Sequence, residues 1–170
     1  GERPRVAIVP SSRWNSKNWP LSCYIEVMKR IRKTADVSFY LLGGAGDSEM
    51  CGRMQEELDG SVVNMAGKTS LVEMGGILQK MDLLISNDSG PVHMAAAVGT
   101  PVLVVFGPTD PARTGPFGKA HRVVKSEISC QPCFSRTCRR DGIPCLDGVT
   151  PEHVTETALE MLSHKIQGPA

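Results

Sequence analysis

Short apolar runs that alternate with helically spaced apolar stripes constrain this chain more than any other feature. Val6-Ala7-Ile8-Val9, Val37 to Leu42, Ser61 to Met65, Leu83-Leu84-Ile85, Val102 to Phe106 and His121 to Lys125 read as six strands. Between them Tyr24, Ile25, Met28 and Ile31 recur at helical spacing behind Pro20, and Asp47 to Leu58 reads as a second helix. Leu71, Met74, Leu78 and Met81 mark a third, and the small-residue stretch Gly90 to Val98, with Pro91 in its first turn, a fourth. Val154, Ala158, Met161 and Leu162 close the chain as an amphipathic helix. Strands that are apolar throughout suit a parallel sheet covered on both faces. With right-handed crossovers, the expectation is an α/β, Rossmann-like doubly wound parallel sheet of about six strands, ordered 3-2-1-4-5-6.

A chain of 170 residues makes one domain, 1–170. Two irregular stretches interrupt the alternation, 107–120 and a Cys-rich loop at 126–149, before a closing helix at 150–166. Nineteen Lys and Arg against 18 Asp and Glu leave a net charge of +1, and aromatics are 5%. Neither value suits a nucleic-acid surface, so no nucleic-acid partner is expected. No apolar run approaches the roughly 18 residues of a membrane span, so no transmembrane segment is expected. Gly1-Glu2-Arg3-Pro4-Arg5 leads straight into the first strand without the pattern of a signal peptide, and a cytoplasmic location follows as an expectation.

A doubly wound sheet binds ligands beyond the carboxyl ends of its strands, at the switch point between strands 1 and 4. The segments due there are Pro10 to Pro20, Ser86 to His93 and Phe106 to Pro111. In the second, Asn87-Asp88-Ser89-Gly90 precedes a helix. Its free N–H groups and positive dipole end could receive a phosphate, with Ser89 and Gly90 admitting close approach and His93 in the first turn. The same residues also fit a plain helix cap. Lys17, flanked by Trp14 and Trp19, offers a mobile charge in the first segment. The two loops together favour a diphosphate ligand.

The common nucleotide fingerprints are missing. Gly44-Ala45-Gly46-Asp47-Ser48-Glu49 lacks the third glycine of G-x-G-x-x-G and follows strand 2, and strand 1 has no glycines after it. There is no P-loop and no G-x-S-x-G elbow. Asp47 and Glu49 are candidates to accept hydrogen bonds from ribose hydroxyls, or first-turn acids favoured by the helix dipole.

Four of the six cysteines, Cys130, Cys133, Cys138 and Cys145, are spaced Cys-x₂-Cys-x₄-Cys-x₆-Cys. Four thiolates suit a tetrahedral zinc site, and an iron–sulfur cluster is also compatible. Disulfides and free thiols stay open, the former disfavoured in a reducing compartment. In every case the role is structural. Arg136, Arg139 and Arg140 make this loop basic, as a solvated face or as a contact for acceptor phosphates.

Lys17-x-Trp19-Pro20, Gly43-Gly44 with Asp47-Ser48-Glu49, Ala66-Gly67-Lys68-Thr69-Ser70-Leu71, Asn87-Asp88-Ser89-Gly90-Pro91-x-His93-x-Ala95-Ala96-Ala97-x-Gly99-Thr100-Pro101 and Phe106-Gly107-Pro108-Thr109-Asp110-Pro111 occur in that order. Together they resemble the C-terminal half of glycosyltransferase family 9, the ADP-heptose:lipopolysaccharide heptosyltransferases. Cys130 to Cys138 resembles a loop of a subset, mostly the second-heptose type. The resemblance implies a GT-B fold, with two Rossmann-like domains across a cleft. This chain would be the donor domain, and the acceptor domain with its general base would precede it. It implies inverting transfer of heptose from ADP-heptose to the lipopolysaccharide inner core, with no cofactor required for catalysis. A cytoplasmic enzyme peripheral at the inner membrane would follow.

Carried over residue by residue, Lys17 would contact the phosphate and sugar, with Ser11 and Ser12 lining the same pocket. Glu49, or with less support Asp47, would hold ribose. Thr69, Ser70 and Leu71 would border adenine. Asp88 would contact the heptose, Ser89 and Gly90 would give backbone donors to the diphosphate, and His93 would complete that wall. A free-standing nucleotide-sugar binding module without catalysis, or a GT-B relative such as a sugar-nucleotide epimerase, are the alternatives. The epimerase would share the crevice but not the Gly-Pro-Thr-Asp-Pro signature.

Overall fold

A computed structural model describes residues 3–166. Six parallel strands run β1 (Arg5–Val9), β2 (Ser38–Leu41), β3 (Val63–Asn64), β4 (Leu83–Asn87), β5 (Val102–Phe106) and β6 (Arg122–Lys125). The sheet order is β3-β2-β1-β4-β5-β6, as the alternation of apolar runs implied. Register is set by Val6 opposite Phe39 on one side and opposite Leu83 on the other. The third strand is shorter than expected, two residues rather than five. A short edge with half-exposed Val63 offers little backbone for unwanted pairing.

The crossover helices are α1 (Leu21–Thr34), α2 (Ser48–Glu57), α3 (Leu71–Leu78), α4 (Gly90–Ala97) and the short α5 (Pro111–Thr114); α6 (Pro144–Asp147) and α7 (Pro151–Ile166) follow the last strand. The two stretches read as irregular each carry one short helix, α5 and α6. Strand side chains alternate between two cores. Val6, Ile8, Phe39, Leu83, Ile85, Leu103 and Val105 join α1, α2 and α7 on one face. Ala7, Val9, Leu84, Val102, Val104 and Phe106 join α3 and α4 on the other. Each of these Val, Leu, Ile and Phe side chains contributes about 1.5–3 kcal/mol by leaving water.

Local sequence explains the helix boundaries. Pro20 opens α1, which buries Tyr24, Ile25, Val27, Met28 and Ile31 along one stripe. Ser70 caps α3 reciprocally with Glu73, whose carboxylate accepts from the Ser70 N–H and hydroxyl and is held below its usual range by those bonds. Asp110 caps α5 by accepting from the Ala112 N–H. In α4 only Val92 and Ala95 are buried, so the alanines bring this helix close to the sheet with its N-terminus at the end of β4.

Candidate functional site

The loops after β1, β2 and β4 converge on a cleft of about 660 Å³ at the carboxyl edge of the sheet. Its walls include Ser11, Ser12, Trp14 and Lys17 from the first loop, Gly43, Gly44 and Asp47 from the second, Leu71 and Met74 from α3, and Asp88, Ser89, Gly90 and Pro91 from β4 and α4. A second groove, about 570 Å³, lies at the opposite end of β2, but its Arg3 pairs with Asp36 and its Arg32 with Ser61. The switch-point cleft is the site that the topology favours.

Asp88 organises the cleft. Its side chain is 4% exposed, and Oδ2 accepts from Lys17 Nζ at 2.7 Å and from Thr109 Oγ1 at 2.7 Å. Thr114 Oγ1 stands 3.3 Å from the same oxygen and 3.2 Å from the Asp110 carbonyl, so its single proton serves one of them at a time. Donors from three sides fix this buried carboxylate in place. Lys17 also lies over the Trp14 ring, 4.6 Å from its centroid.

Neighbouring Asn87 locks the first loop to β4. Its Oδ1 accepts from the Trp19 N–H at 3.0 Å and the Tyr24 hydroxyl at 2.8 Å, while Nδ2 donates to the Pro10 carbonyl at 2.8 Å. Burial pushes the Tyr24 phenol well above its usual range, so it remains a donor. Trp19 packs edge-on against Tyr24 and donates to the Val149 carbonyl. These contacts place the short helical turn Asn15–Lys17 beside Asp88.

The sequence-derived site residues divide. Ser11, Ser12, Lys17, Asp47, Leu71, Asp88, Ser89 and Gly90 line the cleft. The Ser12 hydroxyl is turned into its own loop, donating to the Trp14 carbonyl. Asp47, rather than Glu49, reaches the cleft and accepts from the Gly44 N–H at 2.8 Å. Glu49 lies one helical step further, with its side chain 88% exposed and paired with Arg53 across one turn. The Ser70 hydroxyl is committed to its cap, and neither it nor Thr69 lines the cleft; Met74 does instead. His93 is exposed and outside the cleft, because α4 turns Val92 and Ala95 inward and position 93 points away from that buried side. Thr109, Thr114, Asn87, Trp14 and Met74 were missed as site residues. Thr109 carried a signal in Gly-Pro-Thr-Asp-Pro, Asn87 in Asn-Asp-Ser-Gly and Trp14 beside Lys17; Thr114 and Met74 carried none.

The four clustered cysteines line one small pocket of about 20 Å³ together with Ser16, Pro108 and Gln131. Among the described residues, however, no group of three or more His, Cys, Asp or Glu side chains is arranged to hold a metal ion. Zinc or an iron–sulfur cluster on Cys130, Cys133, Cys138 and Cys145 therefore does not fit these side chains as they stand. All four are free cysteines in this structure. Backbone contacts order the loop instead. The Cys133 and Phe134 N–H groups both donate to the Pro108 carbonyl, and Ser16 Oγ donates to the Ser135 carbonyl at 2.7 Å.

A model of the glycosyltransferase family 9 (heptosyltransferase) matches residues 1–143. The chain belongs to this family. It is 32% identical over 170 residues to lipooligosaccharide heptosyltransferase 2 of Haemophilus influenzae, covering 96% of this chain and 49% of that protein. It is 28% identical over 154 residues to lipooligosaccharide heptosyltransferase 2 of Campylobacter jejuni, covering 88% and 48%. The structure of the Escherichia coli ADP-heptose lipopolysaccharide heptosyltransferase II superposes with a TM-score of 0.82 at 25% identity, covering 96% of this chain and 48% of that one. The family 9 chain thus spans about half the length of the relatives it matches. Among its described residues, no helix is long and apolar enough to cross a membrane.

Proposed function

We propose that this family 9 chain is the donor-binding, C-terminal half of a GT-B heptosyltransferase, which transfers heptose from ADP-heptose to the lipopolysaccharide inner core with inversion. The observation that carries this reading is the convergence of Lys17, Asp88 and the N-terminus of α4 on one cleft at the switch point. Relatives of the same family are named for heptose transfer, the second-heptose type among them. The acceptor half and its general base would lie outside this chain, and the whole enzyme would work in the cytoplasm, peripheral to the inner membrane.

The residues divide the work by their chemistry. Leu71, 72% exposed, and Met74 offer an apolar seat for adenine. Asp47, held by the Gly44 N–H, takes the ribose hydroxyls. The diphosphate sits at Ser89 and Gly90, where first-turn N–H groups and the helix dipole favour negative charge. As the glycosidic bond breaks, ADP gains charge, and Lys17 with these donors stabilises it in place. Asp88, fixed by Thr109, orients the heptose hydroxyls. This division of labour assigns charge neutralisation to protein groups and requires no catalytic cofactor.

Calorimetry with ADP, UDP, GDP and NAD tests the donor assignment. ADP should bind in the micromolar to millimolar range and the others more weakly; preference for UDP would overturn it.

A further inference from the structure

Two guanidinium groups stack on aromatic rings near the mouth of the cleft. Arg113 Cζ lies over the Phe134 ring, 5.0 Å from its centroid, and Arg136 Cζ over the Trp14 ring at 5.2 Å. Neither arginine has a carboxylate partner among the described residues, and both are exposed. Stacking occupies the face of a guanidinium and leaves its edge N–H groups free for a planar, bidentate acceptor. Lys17, the other cation over Trp14, is already matched by Asp88. The rim therefore holds two positive charges that the protein itself does not neutralise, in a chain of net charge +1.

The backbone is shaped to present this rim. Phe134 is held at φ +52°, a left-handed conformation that costs a bulky residue on the order of 1 kcal/mol or more, and the residue remains 36% exposed. Two successive N–H groups, from Cys133 and Phe134, grip the Pro108 carbonyl and fix that bend. Arg113 is next to Thr114, which stands 3.3 Å from Asp88. Sheet order supplies direction. The nucleotide pocket spreads from Asp88 towards β1 and β2; Arg113 belongs to α5, which follows β5, while Arg136 reaches the outer ring of Trp14 at the pocket's edge. In an inverting transfer the acceptor approaches the sugar from the side opposite the leaving diphosphate.

We infer that Arg113 and Arg136, on their aromatic supports, bind an oxyanion carried by the acceptor saccharide. This inference rests on the donor-half reading above. It assigns to this half of the enzyme a share of acceptor recognition, separate from nucleotide binding.

The test is initial-rate kinetics of the full-length enzyme containing this chain, with ADP-heptose and acceptor varied separately. Arg113→Ala and Arg136→Ala should each raise the acceptor KM about tenfold, the loss expected for a charge-assisted contact, and leave the donor KM within about threefold. Arg136→Lys should recover part of the loss, and Arg30→Ala, on α1 and paired with Glu26, should change neither constant. Two modified acceptors identify the oxyanion: one with its phosphates removed by hydrogen fluoride, one with its carboxylates methyl-esterified. On one of them the arginine variants should match the unsubstituted enzyme. An unchanged acceptor KM, a rise that persists on both modified acceptors, or a rise confined to the donor KM overturns the inference and leaves the donor-half reading standing. No transfer from ADP-heptose by the unsubstituted enzyme overturns both.

Discussion

Lys17 Nζ and Asp88 Oδ2 stand 2.7 Å apart, although 71 residues separate them in the chain. One comes from the loop after β1, the other from the end of β4, and the adjacency of those strands is what lets them meet. The pair is largely sheltered from water, at 15% and 4% side-chain exposure, so its geometry is held rather than sampled.

Replacing Lys17 should therefore be felt in the transition state. In the full-length enzyme Lys17→Ala should lower the transfer rate by roughly 10²-fold, about 2.7 kcal/mol. A rate within about threefold of the unsubstituted enzyme would remove Lys17 from the mechanism.

Thr109 is 2% exposed and gives Asp88 a short hydrogen bond. Thr109→Val deletes a donor to a buried carboxylate at nearly constant volume. It should cost about 1–3 kcal/mol of stability in urea unfolding, while Thr109→Ser should keep most of it. Equal stability of the two variants would show that the hydroxyl contributes nothing.

Gly43 owes its place to close approach: a Cβ there would lie 2.7 Å from Asp47 Oδ2. Gly43→Ala should push the Asp47 carboxylate off the Gly44 N–H and weaken ADP binding about tenfold, or about 1.4 kcal/mol, in calorimetry. Glu49→Ala, whose carboxylate lies outside the cleft, should leave ADP affinity unchanged. The reverse ranking would return the ribose contact to Glu49.

Thiol reactivity should separate the cysteines by burial. Cys133 and Cys138 are exposed and should react rapidly with a disulfide reagent at pH 7.5. Burial pushes Cys51 up to about 11 and raises Cys145 as well, so both should be slow and gain rate as pH rises. Linkage gives the matching sign in stability. Cys51 stays protonated in the fold above its ordinary value of 9.0, so its contribution is full below pH 9.0 and is lost towards about pH 11. Fast labelling of Cys51 in the native protein would contradict its placement.

The sheet was legible because parallel strands buried on both faces must be apolar throughout, as Val6 to Val9 and Val102 to Phe106 are. The third strand was overestimated, since an edge strand pairs on one side and stops where its partner does. Lys17, Asp88, Ser89 and Gly90 were legible because each sits in a loop whose position follows from strand order. Asp47 was ranked behind Glu49, and His93 was placed in the wall. In the structure Asp47 lines the cleft while Glu49 and His93 do not: two residues of a helix step the side chain through about 200°, and loop spacing does not report which side faces the cleft.

The alternation of apolar runs and helical stripes, with right-handed crossovers, determined the six-stranded sheet, its order and the edge at which the cleft opens. These follow from local periodicity and from the burial that periodicity demands. Only the tertiary structure decided which side chains close around Asp88 and which contacts hold the cysteine loop. Thr109 reaches Asp88 across 21 residues, and Ser16 reaches Ser135 across 119. Such contacts depend on the paths of irregular loops, where hydrogen bonds to particular carbonyls, rather than any repeating pattern, set the course of the chain.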